Sequence, residues 1–427
     1  MNPLPFKPLL AAGALLASVM AAGAQPLTLH TLAGNLTTGS TNGFGSNARF
    51  NYPAALTADT AGNIYVADTA NGTIRKIRPD GFAGSFAGLA GNFGSSNGTG
   101  TNARFFAPQD ITMDASGNLY VADTANATVR MISPAGTVNA LAGSVTNFNS
   151  FDGTGSSAQF YQPEGLAVDP GGNVYVADSW NHTIRKISPA GAVTTLAGLA
   201  RNYGAADGTN SQARFNRPAG LALDTATNLF VADSLNHIIR KITPDGTVST
   251  IAGLAGVWGS ADGTNRDARF YRPRGIVVVD PTNLLVMDAG NQLLRKISAS
   301  GTNWIVTTVA GLADMAGSGN GTGDAARFNF AAGLALDGAG YLYVADAGNN
   351  LIRTTRVVPP TLQFSAAGGQ FITTWPTSAE GFVLEAAPVL GAGAVWTPLP
   401  DGVVVAGDNF LRTNGVSGNV FYRLHQP

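Results

Sequence analysis

The sequence predicts an all-β chain, a six-bladed β-propeller whose N-terminal strand closes the last blade, followed by a small β-sandwich. Three observations lead there. A tripeptide of the Ala-Arg-Phe type ends at Phe50, Phe105, Phe160, Phe215, Phe270 and Phe328, with four spacings of 55 residues and a last one of 58. Each interval holds four short runs rich in Val, Ile, Leu, Thr and Tyr, separated by Gly, Pro, Asn and Asp clusters, as strands joined by tight turns require. The strand count, finally, closes only if the start of the chain supplies the missing piece.

One copy shows the elements in order. "GLAVD" (165–169) is read as the first strand, "NVYVAD" (173–178) as the second, "HTIRKI" (182–187) as the third and "AVTTLAG" (192–198) as the fourth. A lone sheet of this size leaves its apolar faces wet, so stacked neighbours must cover them. First, second and third strands each occur six times, but fourth strands between Phe86 and Gly311 number five. After the sixth third strand comes Pro359-Pro360, which lacks ladder donors. "LTLHTLAG" (27–34) matches "AVTTLAG" and is expected to complete the ring, removing two sheet edges. The three extra residues of the long interval fall between Ile297 and Val309 and are expected in a turn.

The repeated pattern, Gly-Leu-Ala-Val-Asp, then Asn-Val-Tyr-Val-Ala-Asp, then Asn-His-Thr-Ile-Arg-Lys-Ile, resembles the NHL repeat in all six copies. The resemblance implies the propeller and leaves the activity open, because NHL-type propellers include protein-binding and RNA-binding modules, sensor ectodomains and some lyases.

Composition narrows the field. Only 12% of the residues are charged and the formal net charge is −1, which predicts neither a nucleic-acid nor a membrane partner. No cysteine is present, which excludes disulfides, thiolate metal sites and a Cys nucleophile. Lys7, the apolar run Leu9–Met20 and Ala22-Gly23-Ala24 form the pattern of a secretory signal peptide. Residues 1–24 are therefore expected to be removed, residues 25–357 to form the propeller and residues 358–427 the sandwich. A secreted or periplasmic monomer is expected, with no membrane insertion after cleavage. Trp375, Trp396, Phe421 and Tyr422 are expected in the core of the C-terminal module.

Residues present in every blade are read as framework. Asp68, Asp123, Asp178, Asp233, Asp288 and Asp346 end second strands, an Asn follows three places later, and an Arg recurs on each third strand from Arg75 to Arg353. A turn clasp and a structural ion pair are expected. The "DGT" or "NGT" segments of the long loops, such as Asp152-Gly153-Thr154, lack the alternating Asp pattern of a calcium loop and are expected as turns. The chain has four histidines, and those at equivalent turns, His182 and His237, do not suggest the trio that a catalytic zinc needs. Hydroxyglycine lyases with a related propeller use such a zinc, and no matching trio is found here. No zinc site, nucleophile elbow or phosphate loop is present in the sequence.

Departures from the repeat point to a site. The residue before the first-strand glycine reads Ala54, Gln109, Glu164, Ala219, Arg274 and Ala332 around the ring, and two residues earlier stand Tyr52, Ala107, Gln162, Arg217, Arg272 and Phe330. These positions are expected at the channel mouth, where blades three to five concentrate Gln162, Glu164, Arg217, Arg272 and Arg274 on one sector, with Gln109 a further candidate ligand-binding residue. Trp180 replaces small or aliphatic residues at the turn between second and third strands, and is expected either to stack on a ligand or to pack on its neighbours. Arg201 and Arg266, in the long loops, are expected to extend the basic side. The chain is thus expected to bind a protein, peptide or glycan at the mouth. The alternative is a metal-dependent hydrolase or lyase, since gluconolactonase-like propellers hold a divalent ion at the mouth and Glu164 occupies a comparable position.

Overall fold

The computed structural model describes residues 25–357 and, beyond them, segments 363–367, 370–376, 383–388, 394–399, 401–406, 409–415 and 420–425. The export reading of residues 1–24 and the Pro359-Pro360 break lie outside the described residues. The chain divides after Arg356 into two compact units.

Six antiparallel sheets form the blades of the first unit. In blade three the strands Pro163–Val168, Val174–Asp178, Thr183–Ile187 and Ala192–Gly198 run outward from the centre. Each blade has a fifth strand that the repeat did not suggest: the two-residue Gly153–Thr154 pairs outside Ala192–Gly198. The segments expected as turns are thus short edge strands, because the chain leaving one blade crosses to the rim of the next before returning to the centre. The extra residues of blade five lie between Ile297 and Val309 as expected, but they lengthen the strands Leu293–Ser300 and Asn303–Ala310 to eight residues a side instead of enlarging the turn.

Closure occurs at blade six. Thr28–Gly34 pairs with Leu351–Thr354, with Thr31 opposite Arg353 and Gly34 opposite Leu351, while Thr28 and Leu29 also pair with Gly321–Thr322. Leu29 and Ala33 are fully buried. The first strand among the described residues therefore belongs to the same sheet as the last strand of the repeat.

The blades are joined by apolar clusters at their interfaces. Between blades one and two, Ile74, Phe105, Ile111, Val121 and Ile132 pack together. Each interface also carries a buried polar clasp. In blade three, Arg185 donates from Nη1 to Asp178 at 2.9 Å and to the Gln159 carbonyl at 3.1 Å, and from Nη2 to the Phe151 carbonyl at 3.0 Å and to Asp152 at 2.7 Å. Its Cζ lies 5.3 Å from the centre of the Phe160 ring. Asp178 in turn accepts the Tyr161 N–H at 2.7 Å and the Asn181 amide at 2.8 Å. The same set recurs in every blade, with Asn42, Asn97 and Asn320 in place of the second aspartate in blades one, two and six. Burial pushes the Asp178 carboxyl up to about 6, against the opposing effects of Arg185 and the donors around it. The clasp ties the inner turn, the edge strand and the Ala-Arg-Phe segment to one guanidinium.

The second unit contains a four-stranded sheet, in the order Gln363–Ala367, Gln370–Pro376, Asn409–Gly415, Val403–Ala406, and a three-stranded one, in the order Thr397–Pro398, Val383–Ala387, Phe421–His425. Leu384 is buried and packs with Val403, Phe410 and Tyr422, so the two sheets share an apolar centre as a sandwich does. Trp396 is half-buried with the Arg423 guanidinium 4.4 Å from its ring centre, and the Trp375 side chain is outside the described residues.

Candidate functional site at the channel mouth

The innermost strands set the mouth. The residue two places before the first-strand glycine position's neighbour has a left-handed backbone in every blade: Tyr52, Ala107, Gln162, Arg217, Arg272 and Phe330 have φ between 49° and 54°. Such strain, of order 1 kcal/mol or more per residue, persists only where surrounding contacts hold it. Side-chain acceptors on the preceding blade do so in four cases. His182 Nδ1 accepts the Arg217 N–H at 3.1 Å and His237 Nδ1 accepts that of Arg272 at 3.2 Å. Gln292 and Asn350 do the same for Phe330 and Tyr52, at 2.6 and 2.8 Å. Burial, and then the neighbouring arginine, lower the pKa of both histidines, so the neutral acceptor form is favoured. Their role is to join blades.

Inside this ring the channel narrows to a neck lined by Gln109, Asp110, Glu164, Arg274 and small residues. Gly165 and Gly220 let the inner strands converge, since a Cβ on either would stand 1.7 Å from the Ala219 carbonyl oxygen or 1.9 Å from that of Arg274. Arg274 Nη2 donates to Glu164 Oε2 at 2.7 Å, so the pair bridges blades five and three across the neck. Both side chains are about one-fifth exposed, at 23% and 20%. Asp110 accepts the Leu166 N–H at 2.7 Å and the Ile111 N–H at 2.8 Å. Burial pushes its carboxyl up to about 7, with Glu164 adding to the rise and the two N–H groups and Arg274 opposing it. Below the neck the channel opens into a chamber of about 300 Å³ with Leu56, Ile111, Leu166, Leu221, Ile276 and Leu334 in its wall.

The expected residues are placed in three groups. Gln109, Glu164 and Arg274 meet in the neck. Arg217 and Trp180 meet above it, the Arg217 Cζ lying 3.6 Å from the indole centre, and Tyr161 packs on Trp180 at 5.2 Å. Arg272 is exposed over Tyr271, 5.6 Å from its ring centre, and Gln162 is half-buried on the rim. Arg201 lies in the inner part of its loop, where its N–H bonds the Asn181 carbonyl. Arg266 does not extend the basic side. It belongs to the turn Asn265–Asp267, which follows the edge strand at the outer rim of blade five, because the loop crosses to the rim there.

Two features were missed. Asp110 replaces the first-strand glycine in blade two, a departure one residue away from the position that was compared. The second is an arc of aromatic residues in four successive inter-blade loops: Phe93, Phe148, Tyr203 and Trp258 recur at the 55-residue spacing, all exposed, with Tyr203 at 69% and Trp258 at 65%. Each packs at a tilt against a ring below it, Phe93 on Phe106, Phe148 on Tyr161, Tyr203 on His182 and Trp258 on Tyr271, at 5.2 to 6.1 Å between centres. The period itself carried that signal. Among the described residues no three His, Cys, Asp or Glu side chains are placed to hold one metal ion.

Blade count, strand order and the polar neck define a six-bladed β-propeller with a built channel mouth. The family follows from sequence comparison: the Teneurin NHL domain matches residues 149–356 and the NHL repeat matches residues 50–77. The chain carries an NHL-repeat β-propeller. It is 29% identical over 292 residues to NHL repeat-containing protein 2 of Homo sapiens, a match covering 60% of this chain and 40% of that protein. It is 28% identical over 277 residues to the chloroplastic protein Suppressor of quenching 1 of Arabidopsis thaliana, covering 61% of this chain. The chain spans 26% of the length of that protein. Among solved structures, an auxiliary nutrient binding protein from Bacteroides thetaiotaomicron superposes with a TM-score of 0.59 at 15% identity, over 77% of this chain and 76% of that one. A gluconolactonase from Xanthomonas campestris superposes with a TM-score of 0.52 at 12% identity, over 78% of this chain and 91% of that one. These two likenesses are likenesses of fold.

Proposed function

We propose that the chain is an exported recognition scaffold that binds a protein, peptide or glycan ligand across the channel mouth, on the side formed by blades two to five. One observation carries this reading: four large aromatic side chains stand exposed at the same position of four successive loops, beside Arg217 and Arg272. Full burial of an aromatic side chain removes roughly 150–250 Å² from water, these four are about half to two-thirds exposed, and an exposed aromatic set of this kind suits an interaction surface. The guanidinium groups add directional hydrogen bonding to an acidic partner. Export rests on the Lys7 to Ala24 pattern, and a net charge of −1 gives nucleic acid no electrostatic footing.

A metal-dependent hydrolase at the same mouth is supported less well. Glu164, the residue it would use, is held by Arg274 at 2.7 Å. The test is a combined glycan and peptide array probed with the mature chain and with a Tyr203→Ala/Trp258→Ala variant. Retained ligands in the first case and their loss in the second support the reading; identical binding by both proteins overturns it.

A further inference from the structure

Resting on the binding reading above, we infer that Arg274 is the anchor for a ligand carboxylate, that Glu164 is a built-in competitor for that anchor, and that the ligand is an acidic glycan containing uronate residues. The neck holds one guanidinium, and only its Nη2 is engaged: Nε and Nη1 make no hydrogen bond with any described residue. An Arg fork is matched by a carboxylate, which it can bind through two parallel bonds. The Glu164 carboxylate already occupies one side of that fork, so a second planar carboxylate of the same size can replace it without the neck having to widen.

Displacement is feasible because the pair is not sealed. Glu164 is 20% exposed on its side chain, and its Oε1 has no partner among the described residues, so the freed carboxylate can turn to water at the mouth. The two residues come from blades three and five, so breaking the pair removes no bond within a blade and leaves the ring's interfaces intact. Buried clasps such as Arg185 with Asp178, by contrast, have 0% exposure on both sides and five bonds from one guanidinium. The neck pair has one bond and open water beside it. It is built to exchange.

The surroundings select a sugar as the carrier of the carboxylate. Tyr203 and Trp258 stand largely exposed on successive loops, and the C–H faces of pyranose rings pack on exposed aromatic rings while their hydroxyls stay wet. Arg217 and Arg272 on the rim are placed for further carboxylates along the same chain. A polymer of rings with a repeating acid matches a repeating aromatic rim with a central cation. A peptide ending in a free carboxylate would share the anchor but would have no use for the arc.

Calorimetry on the mature chain with trigalacturonate, its fully methyl-esterified form and a hexapeptide with a free C-terminus tests this. The expected result is that trigalacturonate binds, that Glu164→Gln binds it about tenfold more tightly because the competitor is gone, and that Arg274→Gln loses at least about tenfold. The methyl ester should bind weakly and equally to all three proteins. Glu164→Ala, which removes the carboxylate with a different side chain, should reproduce the gain. Unchanged or weaker trigalacturonate binding in both Glu164 variants overturns the competition, and equal binding of acid and ester overturns the anchor. Peptide binding without trigalacturonate binding overturns the glycan assignment. None of these failures touches the broader binding reading, which falls only if the Tyr203→Ala/Trp258→Ala variant retains every array ligand.

Discussion

Arg217 lies flat over Trp180, its Cζ 3.6 Å from the indole centre, and thereby covers one face of the tryptophan that stood out in the sequence. Tyr161 packs on the same indole at 5.2 Å. Trp180 is accordingly a support that orients a rim arginine, and the rings proposed to meet a ligand are those of the loops above. Trp180→Ala should release Arg217 and cost about 0.5–2 kcal/mol of stability, the range of a partly desolvated cation–π contact. Urea unfolding measures the cost, and Arg217→Ala should make the second substitution nearly free if the contact is the cause.

The clasp arginines are a different matter. Arg185 is fully buried with five partners, so Arg185→Ala leaves Asp178 buried without its counter-ion and should cost about 3–5 kcal/mol. Arg185→Lys should recover little of it, because an ammonium cannot reach the edge strand and the inner turn together. Denaturant midpoints of the two variants check this.

The histidines make one contribution to stability that acid removes. His182 and His237 have pKa values below the ordinary 6.5 in the folded chain, so their contribution is fully present above that pH and is lost as pH falls through the folded-state values. Asn350 performs the same bond to Tyr52 without titrating. The double change His182→Asn/His237→Asn removes that loss, so the thermal midpoint of the variant should rise relative to that of the unaltered chain as pH falls from 7 to 5.

Asp110 carries the opposite sign. Its folded-state value is raised to about 7 from 3.8, so its relative contribution is fully present below 3.8 and is lost as pH rises through 7. Carbon-detected NMR of the aspartate carboxyls should show one group titrating near 7. Glu164→Gln should move that midpoint down and Arg274→Gln should move it up, since the first removes a like charge and the second an opposite one.

Much of the fold was legible because it repeats. A strand seen once is ambiguous, but "AVTTLAG" and "LTLHTLAG" at opposite places in the count left a single position for Thr28–Gly34, where the structure has it. The edge strands were not legible: Gly153–Thr154 is two residues long and reads as a turn, and only its pairing to Ala192 and Val193 makes it a strand. The site was legible in part. Comparing equivalent positions found Glu164 and Arg274, which meet, and Arg217 with Trp180, which also meet. Asp110 escaped because the adjacent position was taken as glycine throughout, and the aromatic arc because it lies in loops read as connectors. Arg266 was misplaced for the same reason as the edge strands, the loop's detour to the rim.

Hydrogen exchange measured with and without an array-identified ligand tests the central claim most directly, because it reports which end of the ring is covered. The account predicts protection in the mouth-side loops 89–94, 144–151, 199–206 and 254–261, and none in the turns 59–63 and 114–118 at the other end of the strands. Protection confined to those opposite turns, with the mouth loops exchanging freely, would contradict it.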